Sequence, residues 1–131
     1  MSAIGAVTGG TRILLVDDDA GLRGELRQLL EDAGYDVVAE AADGLQGIVC
    51  ARRERPEVVI SDLRMPGLGG LELAAELQGE FPVIILSAYD DARLQARARD
   101  AGAVFLVKGC RSATIFAAVE QAARAGAAAG R

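Results

Sequence analysis

Two groups of carboxylates follow apolar runs in this chain. Asp17-Asp18-Asp19 comes directly after Arg12-Ile13-Leu14-Leu15-Val16, and Asp62 comes after Val58-Val59-Ile60-Ser61. Runs of this length and character read as strands buried on both faces, as in a parallel sheet. Met65-Pro66-Gly67 then interrupts regular structure, because Pro66 keeps Met65 from helical geometry and Gly67 permits a sharp turn. Asp62 is expected where a buried strand opens into a loop, the edge at which open α/β sheets bind ligands. One aspartate in such a place often does no more than cap a turn, so the other acids decide. Like charges about 4 Å apart repel by roughly 4 kcal/mol at an effective dielectric near 20. If Asp17, Asp18 and Asp62 converge, either one stays protonated or a divalent cation joins them. All-oxygen donors without histidine or cysteine select a hard ion, and Mg²⁺ suits a small, incomplete shell because it keeps several waters.

A hydroxyl and an ammonium close two further apolar runs. Ser87 ends Pro82-Val83-Ile84-Ile85-Leu86, and Lys108 ends Ala103-Val104-Phe105-Leu106-Val107. Arginine supplies thirteen of the fourteen basic residues, which leaves Lys108 as the only lysine. Lysine offers a compact point charge where a guanidinium would bring a wide planar fork. Beside a metal-bound carboxylate, these two groups form a receptor for a tetrahedral anion, and phosphoryl transfer needs little beyond positioning and charge stabilisation. The chain has no histidine, so its chemistry must run on carboxylates, hydroxyls and lysine.

The intervening segments must hold these strand ends together. Leu22, Leu26, Leu29, Leu30 and Ala33 recur at helical spacing, with Asp19 as N-cap and Gly34 as terminator. Residues 35–41 read as a short, charged edge strand. Leu45, Ile48, Val49 and Arg52 trace a second helix stopped by Pro56, and Leu71, Leu73, Ala74 and Leu77 a third. Residues 90–101 form an arginine-rich helix with little apolar surface, expected to pack weakly. A fifth helix, with Ser112 as N-cap, turns Ile115, Phe116, Val119, Ala122 and Ala123 inward. Five strands alternating with five helices imply an α/β fold of three layers, (βα)5, with a doubly wound parallel sheet. The order 2-1-3-4-5 fits best, because it puts the charged strand at an edge and the ends of strands 1 and 3 beside the crevice.

In these pieces the chain resembles the receiver domains of bacterial two-component response regulators, proteins of flavodoxin-like fold. The resemblance spans residues 12–124. It rests on Ile13-Leu14-Leu15-Val16-Asp17-Asp18-Asp19, on Asp62-Leu63-Arg64-Met65-Pro66-Gly67-Leu68-Gly69-Gly70, on Pro82 through Ala88 and on Ala101-Gly102-Ala103 through Lys108. It implies Asp62 as phosphoacceptor, Asp18 as a direct Mg²⁺ ligand, Asp17 acting through water, and a metal contact from the backbone carbonyl of Arg64. It implies Ser87 and Lys108 as phosphoryl ligands and Phe105 as the switch aromatic. It also implies a sensor histidine kinase or phosphotransfer protein as donor, and a homodimer or output protein on the face of helix 4, strand 5 and helix 5. The chain departs from the family pattern in having Phe105 for the commoner tyrosine, Gly109 for the usual proline, Gly69 where aspartate is frequent, and slightly shortened segments before Ser87 and Lys108.

Length and charge bound the rest. The 131 residues suit one domain, expected over residues 11–124, with a loose leader at 1–10 and a frayed alanine-glycine tail at 125–131. A net charge of −5 argues against direct nucleic-acid binding. No apolar run reaches the length of a membrane span, residues 1–10 lack a basic signal-peptide start, and the two cysteines lack metal-ligand spacing, so a cytoplasmic protein is expected. Three rival readings are a degenerate receiver that binds without phosphorylation, the receiver part of a transcriptional regulator, and a flavin protein or aspartate-nucleophile phosphatase. The phosphatase expects a second acid two residues after its nucleophile, where Asp62 is followed by Arg64.

Overall fold

A computed structural model describes residues 10–128. In chain order the elements are β1 (Arg12–Val16), α1 (Ala20–Asp32), β2 (Asp36–Ala41), α2 (Gly44–Glu54), β3 (Val58–Asp62), α3 (Gly70–Leu77), β4 (Val83–Ser87), α4 (Ala92–Asp100), β5 (Val104–Val107) and α5 (Ser112–Ala128). All strand pairs are parallel, in the order β2-β1-β3-β4-β5. The sheet order is the one expected, and β2 lies at an edge, where Asp36 and Glu40 keep it polar.

Alternation along the strands divides the core into two layers. Ile13, Leu15, Val58, Ile60, Ile84 and Leu86 pack against Leu30 of α1 and Ile115, Val119 and Ala122 of α5. Leu14, Val16, Val59, Val83 and Ile85 face Ile48 and Ala51 of α2, Leu71, Leu73, Ala74 and Leu77 of α3, and Ala98 of α4. Each fully buried leucine or isoleucine contributes on the order of 1.5–3 kcal/mol. Ala98 is the one fully buried residue of α4, which is loosely anchored as the composition of residues 90–101 implies.

Helix ends follow from local chemistry. Asp19 accepts from the Gly21 and Leu22 N–H groups at 3.0 and 3.1 Å, and Asp43 and Asp91 cap α2 and α4 in the same way. At the far end of α2, the Arg12 guanidinium donates to the Glu54 and Arg55 carbonyls, both at 2.7 Å. This tie lets non-glycine Arg55 hold a φ of +50° just before Pro56.

Three expectations need correction. In α2, Leu45 and Val49 point outward, 64% and 54% exposed, while Gly44, Gly47, Ile48 and Ala51 form the buried face. The helix lies so close to α3 and β1 that a Cβ on Gly47 would come within 2.8 Å of Leu73 and 2.9 Å of Val16. Ser112 is the first residue inside α5 rather than its cap, with the Arg111 carbonyl receiving the Thr114 N–H. Finally, α5 continues past Arg124 to Ala128 with Gly126 buried, so residues 125–128 are helix and not tail. The leader reading falls on residues outside the described ones apart from Gly10, and the tail beyond Ala128 does so too.

The β2 edge is tied to α1 by charge. Glu40 accepts from Arg23 Nε at 2.6 Å and from Arg27 Nη1. The Arg23 hydrogen bond, then the Arg27 one, hold the Glu40 carboxyl below its ordinary value. A depressed folded-state value means stability that is present above the ordinary carboxylate range and lost as acid protonates the folded form. Glu40→Gln is therefore expected to cost about 1–2 kcal/mol at neutral pH, as for a charge-assisted pair. In urea denaturation the difference from the parent should shrink as the pH falls below the ordinary carboxylate range and the folded form becomes protonated.

Candidate functional site

The crossovers from β1 and β3 leave in opposite directions, so the carboxyl ends of these neighbouring strands open a crevice. Asp17 and Asp18 follow β1 directly, Asp62 is the last residue of β3, Ser87 the last of β4, and Lys108 follows β5. Sheet register therefore gathers residues as far apart in sequence as Asp17 and Lys108 into one pit.

One carboxylate oxygen each of Asp17, Asp18 and Asp62 lies within 4.8 Å of the other two. Asp62 is half-buried, and its Oδ1 accepts from the Leu63 N–H at 2.9 Å and pairs with Lys108 Nζ at 3.0 Å. The other Asp62 oxygen is left for a ligand or an incoming group. Asp17 is clamped by its neighbours. Its N–H donates to the Ala41 carbonyl at 3.0 Å, its carboxylate accepts from the Asp19 N–H at 2.9 Å, and its carbonyl receives Arg23 Nη1 at 2.5 Å. Burial pushes the Asp17 carboxyl above its ordinary value. The Asp19 N–H pulls it back, Asp62 and Asp18 raise it further by repulsion, and Lys108 lowers it. A cation among the three would relieve both strains, and the donor set, three carboxylates without nitrogen or sulfur, fits Mg²⁺.

Ser87 is fully buried, and its Oγ is occupied locally: it donates to the Tyr89 carbonyl and accepts the Tyr89 N–H, both at 2.9 Å. The next strand is latched to the same residue, with the Lys108 N–H on the Ser87 carbonyl at 2.6 Å. Arg64, two residues beyond Asp62, stacks its guanidinium 4.7 Å from the Tyr89 ring centroid. The two side chains link the β3–α3 and β4–α4 loops. Phe105 sits opposite Ile85 in β5, half-buried, beside a groove shared with Gln95 and Arg99 of α4. Gly109 has a φ of +91°, and every described peptide bond is trans.

Asp17, Asp18, Asp62 and Lys108 thus share one cluster, Ser87 lies at the adjoining strand end, and Phe105 stands apart on the α4 side. Three parts of the neighbourhood were not anticipated: the Leu63 N–H on Asp62, the Tyr89 backbone on Ser87, and Arg23 on the Asp17 carbonyl. The last had a signal in the chain, an arginine one helical turn past the Asp19 cap, but such arginines ordinarily face water.

A doubly wound five-stranded sheet with acids at its switch point and a lysine on the outer strand defines an α/β receiver-type protein. Residues 13–120 match the response regulator receiver domain, and the chain belongs to that family of two-component signalling domains. It is 36% identical over 114 residues to the transcriptional regulatory protein PdtaR of Mycobacterium tuberculosis, covering 85% of this chain and 56% of that protein. It is 40% identical over 103 residues to a protein-glutamate methylesterase/protein-glutamine glutaminase of Natronomonas pharaonis, covering 76% of this chain and 29% of the relative. The chain thus spans about half or less of the length of these relatives. Among solved structures, a LuxR-family two-component response regulator from Aurantimonas superposes with a TM-score of 0.84 at 32% identity, covering 88% of this chain and 86% of that one. The receiver domain of a NarL regulator from M. tuberculosis gives 0.82 at 29% identity, covering 88% and 97%. Among the described residues no helix is long and apolar enough to cross a membrane.

Proposed function

We propose that this receiver accepts a phosphoryl group on Asp62 from the phosphohistidine of a sensor histidine kinase or phosphotransfer protein, in the cytoplasm. The observation that carries the reading is the Lys108 ammonium 3.0 Å from Asp62, at the rim of three converging carboxylates. The free Asp62 oxygen attacks phosphorus in line. The new P–O bond forms as the P–N bond breaks, and the imidazole nitrogen keeps the electron pair and takes a proton from solvent. Asp17, Asp18, Asp62 and the Arg64 backbone carbonyl would hold Mg²⁺, which when bound neutralises charge on the phosphoryl oxygens. Lys108 offers its ammonium to one of those oxygens, and Ser87 offers its hydroxyl to another.

To do so, Ser87 must give up the Tyr89 carbonyl, which frees the loop leading into α4. A helix anchored fully by Ala98 alone shifts easily, and Phe105 can move into the space Ser87 leaves. The surface of α4, β5 and α5 then changes shape for a second copy or an output protein. The part of these residues is their own phosphorylation and dephosphorylation.

The test is incubation with Mg²⁺ and a small acyl phosphate, followed by intact mass. A phosphoryl adduct that survives acid, is lost in base, and fails to form with chelator supports the reading; no adduct at saturating Mg²⁺ overturns it. Lys108→Ala is expected to slow labelling about 10²–10³-fold, the usual loss for one preorganised donor to a developing charge. The same substitution should tighten Mg²⁺ binding, because it removes a cation that competes for Asp62. Calorimetry reads that second effect, and a fall in both would point instead to a collapsed site.

A further inference from the structure

Arg23 joins two groups, one beside the cation site and one on the edge strand. Its Nε donates to Glu40 Oε1 of β2 at 2.6 Å, and its Nη1 donates to the Asp17 backbone carbonyl at 2.5 Å. The side chain is 18% exposed, so this fork is held within the structure and does not sample solvent freely. Glu40 in turn is fixed by Arg27, one turn further along α1. Asp17 is therefore held through both of its flanking peptides, by the Ala41 carbonyl on the N–H of the first and by Arg23 on the C=O of the second, which joins it to Asp18.

We infer that Arg23 is a positioning residue for the cation site: it fixes the peptide joining Asp17 to Asp18, and so sets the direction from which both carboxylates meet Asp62. The inference rests on the metal reading above. Asp18 is exposed, and both Asp18 and Asp62 repel Asp17, so the direction of the Asp18 carboxylate depends on the backbone that carries it. A planar fork suits the task, because two donors at fixed separation reach a carboxylate and a carbonyl together, and a lysine ammonium has no such geometry. Groups that orient ligands in this way commonly alter metal affinity by 10–100-fold when removed.

Arg27 supplies the control. It binds the same Glu40, from the same helix, but no polar contact joins it to Asp17. The experiment titrates Mg²⁺ calorimetrically into the full chain and into Arg23→Gln, Arg23→Lys, Arg27→Gln and Asp62→Asn, with urea denaturation of each alongside. Arg23→Gln is expected to weaken Mg²⁺ binding about tenfold or more, Arg23→Lys nearly as much, and Arg27→Gln less than about twofold even if it is equally destabilised. Equal losses for the Arg23 and Arg27 variants would overturn the inference and leave Arg23 a structural link between α1 and β2. If the parent shows no Mg²⁺ binding sensitive to Asp62→Asn, the metal reading itself falls, and the inference with it; these results are distinct.

Discussion

Asp62→Asn yields no phosphoryl adduct under conditions that fully label the parent. The amide is close to the carboxylate in shape, so it can still receive the Leu63 N–H and stay beside Lys108, now without its charge. What it loses is nucleophilicity, since an amide oxygen cannot displace the donor's leaving group and form the acyl phosphate that a carboxylate forms. The variant should fold normally, because the repulsion relieved by removing one of three clustered acids is offset by the loss of the Lys108 ion pair. It should also bind Mg²⁺ more weakly, having lost one carboxylate of three. Labelling equal to the parent would mean that another side chain is the acceptor.

The second large effect is on the fold beneath the site. Gly70 opens α3, and a Cβ built there would lie 2.3 Å from the Asp62 carbonyl oxygen and 3.1 Å from the Leu63 Cα. Both are backbone atoms and cannot step aside as a flexible side chain would. The Gly70 N–H also donates to the Leu63 carbonyl at 2.9 Å, so the helix start is seated on the strand end that carries Asp62. Gly70→Ala must drive the two apart. A loss of about 3 kcal/mol or more is expected, at the upper end of overpacking costs. That corresponds to roughly 10 °C or more in melting temperature for a domain of this size. Gly67→Ala offers a comparison, with nothing within 4 Å of its Cβ but a φ of +74°. Its cost should be about 1–2 kcal/mol, from backbone strain alone. Thermal melts of both variants check the ordering, and a Gly70→Ala protein as stable as the parent would contradict this seating of α3.

Much of this was legible in the chain because the relevant signals are local. Apolar runs ending in Asp17, Asp62, Ser87 and Lys108 declare both a buried strand and what emerges from its end. The charges of Asp36 and Glu40 declare an edge. What stayed hidden depends on distances between elements. In α2 the hydrophobic pattern favoured Leu45 and Val49 for the core, yet Gly44 lies against Leu68 and Gly47 against Val16 and Leu73, and the buried face is Gly44, Gly47, Ile48 and Ala51. Glycine carries no hydropathy signal, so a face chosen for thinness does not show in periodicity. The same blindness hid Gly126, buried on α5 in a stretch of alanine and glycine that reads as an unanchored end. Arg23 was hidden for a different reason: its two partners lie just after β1 and in β2, and only the assembled sheet brings them within reach of one guanidinium.

The most direct measurement concerns where the phosphoryl group resides. Borohydride reduces an aspartyl phosphate to homoserine, so protein labelled by acyl phosphate with Mg²⁺, then reduced and digested, carries a permanent record of the acceptor. Homoserine at position 62 alone is the expected result, with Lys108 and the acids after β1 gathered around it. Homoserine at position 17, 18 or 19, or none in protein that mass shows to be labelled, would contradict a phosphoacceptor at the end of β3.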